Sequence, residues 1–121
     1  FGHTSGHALE SWAMAQSLEV KHGEAVAWGM RLALKMSEFS SDCPQVKPGD
    51  FDGISRSLAT LIPLPCAVPD AEVLWEFMRS DKKNLGEQVN VVLLNGLGCP
   101  RVDVNVTLAD FEQALAGLPE D

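Results

Sequence analysis

The sequence predicts a mainly α fold: a helical bundle carrying one small β-hairpin. Three observations predict it. Apolar residues recur at helical spacing through most of residues 4–78. Near the C-terminus the period changes to two, with Val102, Val104 and Val106 alternating with Asp103 and Asn105. Proline and glycine cluster between these tracts, where chain direction must change. The chain has 121 residues, 45% hydrophobic and 21% charged, which is one domain able to bury its own core. That composition excludes a disordered chain, a collagen and a disulfide-rich miniprotein.

Each element has its own signature. Ala8, Leu9, Trp12, Ala13 and Leu18 predict a first helix over 4–18, in a stretch of good helix formers. A second helix over 24–40 is apolar on nearly every face, through Ala25, Val26, Trp28, Met30, Leu32, Ala33, Leu34 and Met36. A helix apolar all round is buried, so this one is expected to be the spine of the domain. Residues 47–50 form a loop, and a third helix follows over 51–61 until Pro63, Pro65 and Pro69 break the chain. Asp70 is placed to cap a fourth helix whose stripe is Val73, Leu74, Phe77 and Met78. Val89–Leu94 and the alternating valines are expected to pair as a hairpin through residues 95–100. Thr107 and Asp110 resemble a capping box that opens a last helix through Leu108, Phe111 and Leu115, ended at Gly117.

Charge and cysteine content narrow the function. Nine Lys+Arg against seventeen Asp+Glu give a net charge of −8. Binding to nucleic acid or an anionic membrane needs clustered positive charge, so neither partner is expected. A bound anion would have to be held by a few local cations, and Asp81-Lys82-Lys83-Asn84 is the densest such spot. No apolar run reaches the roughly 18 residues of a membrane span. Cys43, Cys66 and Cys99 have neither the number nor the spacing of a disulfide framework, which points to a reducing, cytoplasmic setting. Gly96-Leu97-Gly98 lacks the third glycine and the following helix of a dinucleotide fingerprint, so it is not read as an NAD site.

All three histidines lie within the first 22 residues. His3 and His7 are four apart and lie one above the other on a helix face that Glu10 continues. Antiparallel packing would carry His22, at the mouth of the buried helix, back toward His3. Neutral imidazole nitrogens brought together there suit Zn²⁺. The spacing also fits ordinary capping, packing or solvation. A third protein ligand is not evident, with Glu10 and Glu24 the nearest carboxylates. Gly2, Gly6 and Gly23 beside the histidines fit close backbone approach, either to a ligand or to a neighbouring helix.

Three ordered blocks carry a resemblance. Phe1-Gly2-His3-Thr4-Ser5-Gly6-His7-Ala8-Leu9-Glu10 and His22-Gly23-Glu24-Ala25-Val26-Ala27-Trp28-Gly29-Met30 resemble two histidine motifs of the 3-dehydroquinate synthases. Asp81-Lys82-Lys83-Asn84, with Val91–Leu94 and Gly96-Leu97-Gly98, is similar to a third element of that family. Ser5 stands where many members carry Phe or Ile, and the stretch from His7 to His22 is slightly long for the family.

The resemblance implies a C-terminal helical domain that carries metal and substrate contacts. Its N-terminal NAD-binding domain is expected to be absent from this chain, and the isolated chain is expected to be inactive. The implied reaction converts 3-deoxy-D-arabino-heptulosonate 7-phosphate to 3-dehydroquinate and phosphate, a lyase step of the shikimate pathway. NAD is used and regenerated as the substrate is oxidised, loses phosphate, is reduced and closes. His3 and His22 match the zinc-binding histidines, for Zn²⁺ or Co²⁺, with a glutamate of the other domain as third ligand. His7 matches an active-site histidine near the substrate, so the resemblance replaces the idea that His3 and His7 share one metal. Lys82 and Lys83 match a position contacting the anionic sugar acid, and Glu24 matches a motif position. Implied partners are the sugar-acid phosphate, the chain's own N-terminal domain and a second copy in a homodimer.

Three other readings stand beside it. A sister sugar phosphate cyclase of the valiolone or deoxy-inosose type shares the histidine blocks. An iron-dependent alcohol or glycerol dehydrogenase has a similar histidine layout, but the 81–84 block and His22-Gly23-Glu24-Ala25 argue against it. A non-catalytic helical interaction module would bind no divalent ion even with the other domain supplied.

Overall fold

A computed structural model describes residues 3–82 and 89–118. It contains α1 (His3–Ala15), α2 (His22–Phe39), α3 (Asp52–Leu61), α4 (Ala71–Lys82), β1 (Val89–Leu94), β2 (Pro100–Val106) and α5 (Leu108–Ala116). The mainly α fold with one hairpin is the fold predicted. Among the described residues no helix is long and apolar enough to cross a membrane.

The second helix is the spine that its composition requires. It buries Ala25, Ala27, Trp28, Leu32, Ala33, Leu34 and Met36, and packs against α1, α3, α5 and β1. α4 lies against α1 and α5. The core is continuous, with Leu9, Leu32, Met36, Leu74, Met78, Leu93 and Phe111 fully buried. Each such side chain contributes about 1.5–3 kcal/mol relative to an exposed one. Trp75 and Phe111 join α4 to α5, their ring centroids 6.0 Å apart in a tilted arrangement.

The end of the first helix differs from expectation for a local reason. The first helix stops at Ala15 because Ser17 turns into left-handed backbone, with φ 58°. Leu18 N–H then donates to Ala13 C=O at 2.8 Å, and Ser17 N–H to Met14 C=O at 3.1 Å. This is a Schellman ending with serine at the position glycine favours. Asp70 opens α4 through its carbonyl, which accepts from Val73 and Leu74 N–H. The stripe of α4 is Leu74, Trp75 and Met78, not Val73, which is exposed. Thr107 Oγ1 and Asp110 form the predicted capping box, each accepting from the other's amide.

The hairpin is antiparallel and contains a correction. Val91 pairs with Val104, whereas Leu93 pairs with Arg101, so β2 holds one residue more than β1 across that interval. The extra residue is a β-bulge with Asp103 at φ 54°, a conformation aspartate tolerates. One inserted residue reverses side-chain alternation. Val104 and Val106 face the core, while Val102 is 67% exposed. The turn uses Gly96 and Gly98, both at positive φ, and Asn95 N–H donates to Cys99 C=O at 2.8 Å. These glycines therefore serve the hairpin turn. Cys43 is buried, Cys66 half-buried and Cys99 exposed, all as free thiols.

Behind the hairpin, Glu38 is a buried carboxylate on α2. It accepts from Lys35 Nζ at 2.7 Å, Gly49 N–H at 3.0 Å and Phe51 N–H at 3.0 Å. Lys35 also donates to Asp52 Oδ1 at 2.8 Å. This network fixes the 47–52 loop and the start of α3 against the spine.

Candidate functional site

The histidine motifs meet where α1 and α2 converge. His3 opens α1, and His7 and Glu10 follow it on the same helical stripe. Gly6 lies in that stripe and brings the helices together. A Cβ at Gly6 would sit 2.8 Å from Ala25 O and 3.1 Å from Val26 Cα. The motif glycine therefore serves helix-to-helix contact. Gly23, by contrast, has open space where a Cβ would stand.

One turn beyond that contact, the imidazole of His22 meets the carboxylate of Glu10. Nδ1 and Oε1 are 2.8 Å apart. The carboxylate can only accept, so Nδ1 carries the proton in this contact. In the neutral ring the lone pair is then on Nε2, the form that ligates a metal. The pair faces solvent, with side-chain exposures of 66% for His22 and 23% for Glu10. At that exposure its attraction adds little to stability and chiefly sets orientation.

His22 is held by its own helix end. Lys21 N–H donates to Glu24 Oε1 at 2.8 Å, so the motif glutamate reaches back over the first turn. A carboxylate there also complements the helix dipole. Glu24 is thus engaged as a cap, the structural role its motif position left open.

The remaining candidates divide clearly. His7 is exposed on the α1 stripe. His3 begins α1 about 10 Å along the axis from Glu10, and its side chain lies outside the described residues. Lys82 is the last residue of α4, its side chain also outside the description, and Lys83 and Asn84 lie outside the described residues. α1 packs against α4, the helix whose last residue is Lys82. Among the described residues no group of three or more His, Cys, Asp or Glu forms a complete metal cluster. Among the described residues the donor set fits part of a zinc site: the His22 imidazole, whose Nδ1 is engaged by Glu10, lies beside the α1 stripe that carries His7.

The Glu10–His22 pair was missed by sequence reasoning, which had Glu10 only as a possible ligand. Its signal was Glu10 in helical phase with His3 and His7. Choosing its partner required the α1–α2 register.

Comparison with known proteins follows the same blocks. The family described as 3-dehydroquinate synthase C-terminal matches residues 1–84. A 3-dehydroquinate synthase of Xylella fastidiosa (strain 9a5c) is 36% identical over 121 residues, covering 95% of this chain and 30% of that protein. One from Rhizobium rhizogenes is 39% identical over 103 residues, covering 80% of this chain and 26% of that protein. The chain thus spans about 30% or less of the length of these curated relatives. Among solved structures, a 2-deoxy-scyllo-inosose synthase complexed with carbaglucose-6-phosphate, NAD⁺ and Co²⁺ superposes with a TM-score of 0.70. At 24% identity it covers 98% of this chain and 33% of its own, and shares the fold. With the histidine blocks inside the matched segment and the helical architecture in common, the chain belongs to the 3-dehydroquinate synthase C-terminal family.

Proposed function

We propose that this chain is the C-terminal, metal- and substrate-binding part of a cytoplasmic 3-dehydroquinate synthase. The reaction converts 3-deoxy-D-arabino-heptulosonate 7-phosphate to 3-dehydroquinate with loss of phosphate. The observation that carries the reading is the Glu10–His22 contact, which sets a family histidine in its ligating tautomer beside the His3–His7 stripe.

His3 and His22 would hold a Zn²⁺ or Co²⁺ ion, with a glutamate of an N-terminal NAD-binding domain completing the set. When bound, the ion would supply Lewis-acid polarisation of the sugar acid's hydroxyls and the nicotinamide a reversible hydride acceptor. His7, solvent-facing on α1, moves a proton at the reacting sugar acid. Lys82 and Lys83 offset the carboxylate or phosphate charge of the substrate. The working enzyme is a homodimer in this reading.

A chimera tests it. This chain replaces the matching segment of the Xylella fastidiosa enzyme, and phosphate release from 3-deoxy-D-arabino-heptulosonate 7-phosphate is measured. Turnover is expected, with His7→Ala slowing it by roughly 10²–10⁴. His3→Ala and His22→Ala are expected to abolish zinc retention. A folded chimera that releases no phosphate overturns the reading. Release from glucose 6-phosphate instead assigns a deoxy-inosose type cyclase.

A further inference from the structure

We infer that Glu10 is a positioning residue for the His22 imidazole, holding the Nδ1–H tautomer so that Nε2 is presented to a metal ion. The inference rests on the proposal that His22 is a metal ligand, and adds a residue to it. Glu10 Oε1 lies 2.8 Å from Nδ1, and a carboxylate has no proton to give, so the contact selects one tautomer.

Both partners are held on rigid supports. Glu10 follows Leu9, which is wholly buried in the core, so the backbone beneath the carboxylate is fixed. Gly6, one turn away, sets the close approach of α1 to α2 at Ala25. His22 is the first residue of α2, and Glu24 caps that same turn. The carboxylate and the ring are twelve residues apart in sequence, yet each rests on a packed helix. Carboxylates that accept from the second nitrogen of a ligating histidine fix its orientation and raise its basicity. Losing one costs roughly 10–100-fold in metal affinity. Because the pair is solvent-facing, its removal leaves the fold intact and the effect falls on the metal.

Two measurements test this. The first records ¹⁵N shifts of the His22 ring in this chain at about pH 8, above the ordinary imidazole range. The second measures zinc affinity of the chimera by competition with a chromophoric chelator. Circular dichroism checks that each variant folds. The wild-type ring is expected to show a protonated Nδ1, and Glu10→Ala to move the proton toward Nε2. Glu10→Ala is expected to weaken zinc binding roughly 10–100-fold. Glu10→Gln, whose amide oxygen still accepts, restores the tautomer and most of the affinity. Unchanged ring shifts and zinc affinity in Glu10→Ala, with His22→Ala still losing zinc, overturn the role of Glu10 alone. Unchanged affinity in His22→Ala removes His22 from the metal site, and the inference falls with it.

Discussion

Gly6 of α1 touches the backbone of Ala25 of α2 so closely that a side chain has no room: an added Cβ would stand 2.8 Å from the Ala25 carbonyl oxygen. Neither partner is the flexible end of a side chain, so the helices themselves must separate. Gly6→Ala is expected to cost about 1–3 kcal/mol in chemical denaturation, the range for overpacking. It should also loosen Glu10 from His22, seen as a change in the His22 ring ¹⁵N shifts. Unchanged stability and shifts would show that the contact is not needed.

Ser17 lies in the left-handed region at the end of α1, where glycine has no Cβ penalty. The Schellman hydrogen bonds of Ser17 and Leu18 are backbone bonds and survive the substitution. Ser17→Gly is therefore expected to stabilise the chain by about 1 kcal/mol, read as a higher denaturation midpoint.

The bulge at Asp103 makes opposite predictions for two valines of one apparent pattern. Val102→Thr, on the exposed side, is expected to change stability by less than about 0.5 kcal/mol. Val104→Thr places a hydroxyl in the core and should cost about 1–3 kcal/mol. Equal costs in urea denaturation would contradict the register.

Glu38 holds Lys35 and two loop amides from a buried position. Glu38→Ala is expected to cost about 3 kcal/mol, the lower end for breaking a buried pair, since Asp52 still engages Lys35. The same network sets an alkaline limit. Burial alone would lower the Lys35 ammonium, but the hydrogen bonds and charges of Asp52 and Glu38 outweigh it and raise it above its ordinary 10.5. A raised cation contributes stability that is present below pH 10.5 and lost as pH rises through the folded value. Burial, aided by Asp42, raises the Cys43 thiol above 9.0 against the opposing pull of Ser37 and Arg101. Its contribution is likewise present below pH 9.0 and lost above. Stability is therefore expected to fall in two stages above pH 9.0, with Cys43→Ala removing the lower and Lys35→Met the upper.

The sequence by itself determined the helical class, the buried spine, the hairpin, the capping box at Thr107 and the family motifs. Each of these is a local or periodic property, written in residues that are neighbours along one element. The folded structure decided the rest. A single inserted residue turned Val102 outward, because strand alternation has no tolerance for a change of register. Ser17 ended α1 early, because backbone geometry there overrode helix propensity. The partner of His22 was decided by how closely two helices approach at Gly6. That approach places a carboxylate twelve positions back against the imidazole, and no spacing rule along the chain encodes it.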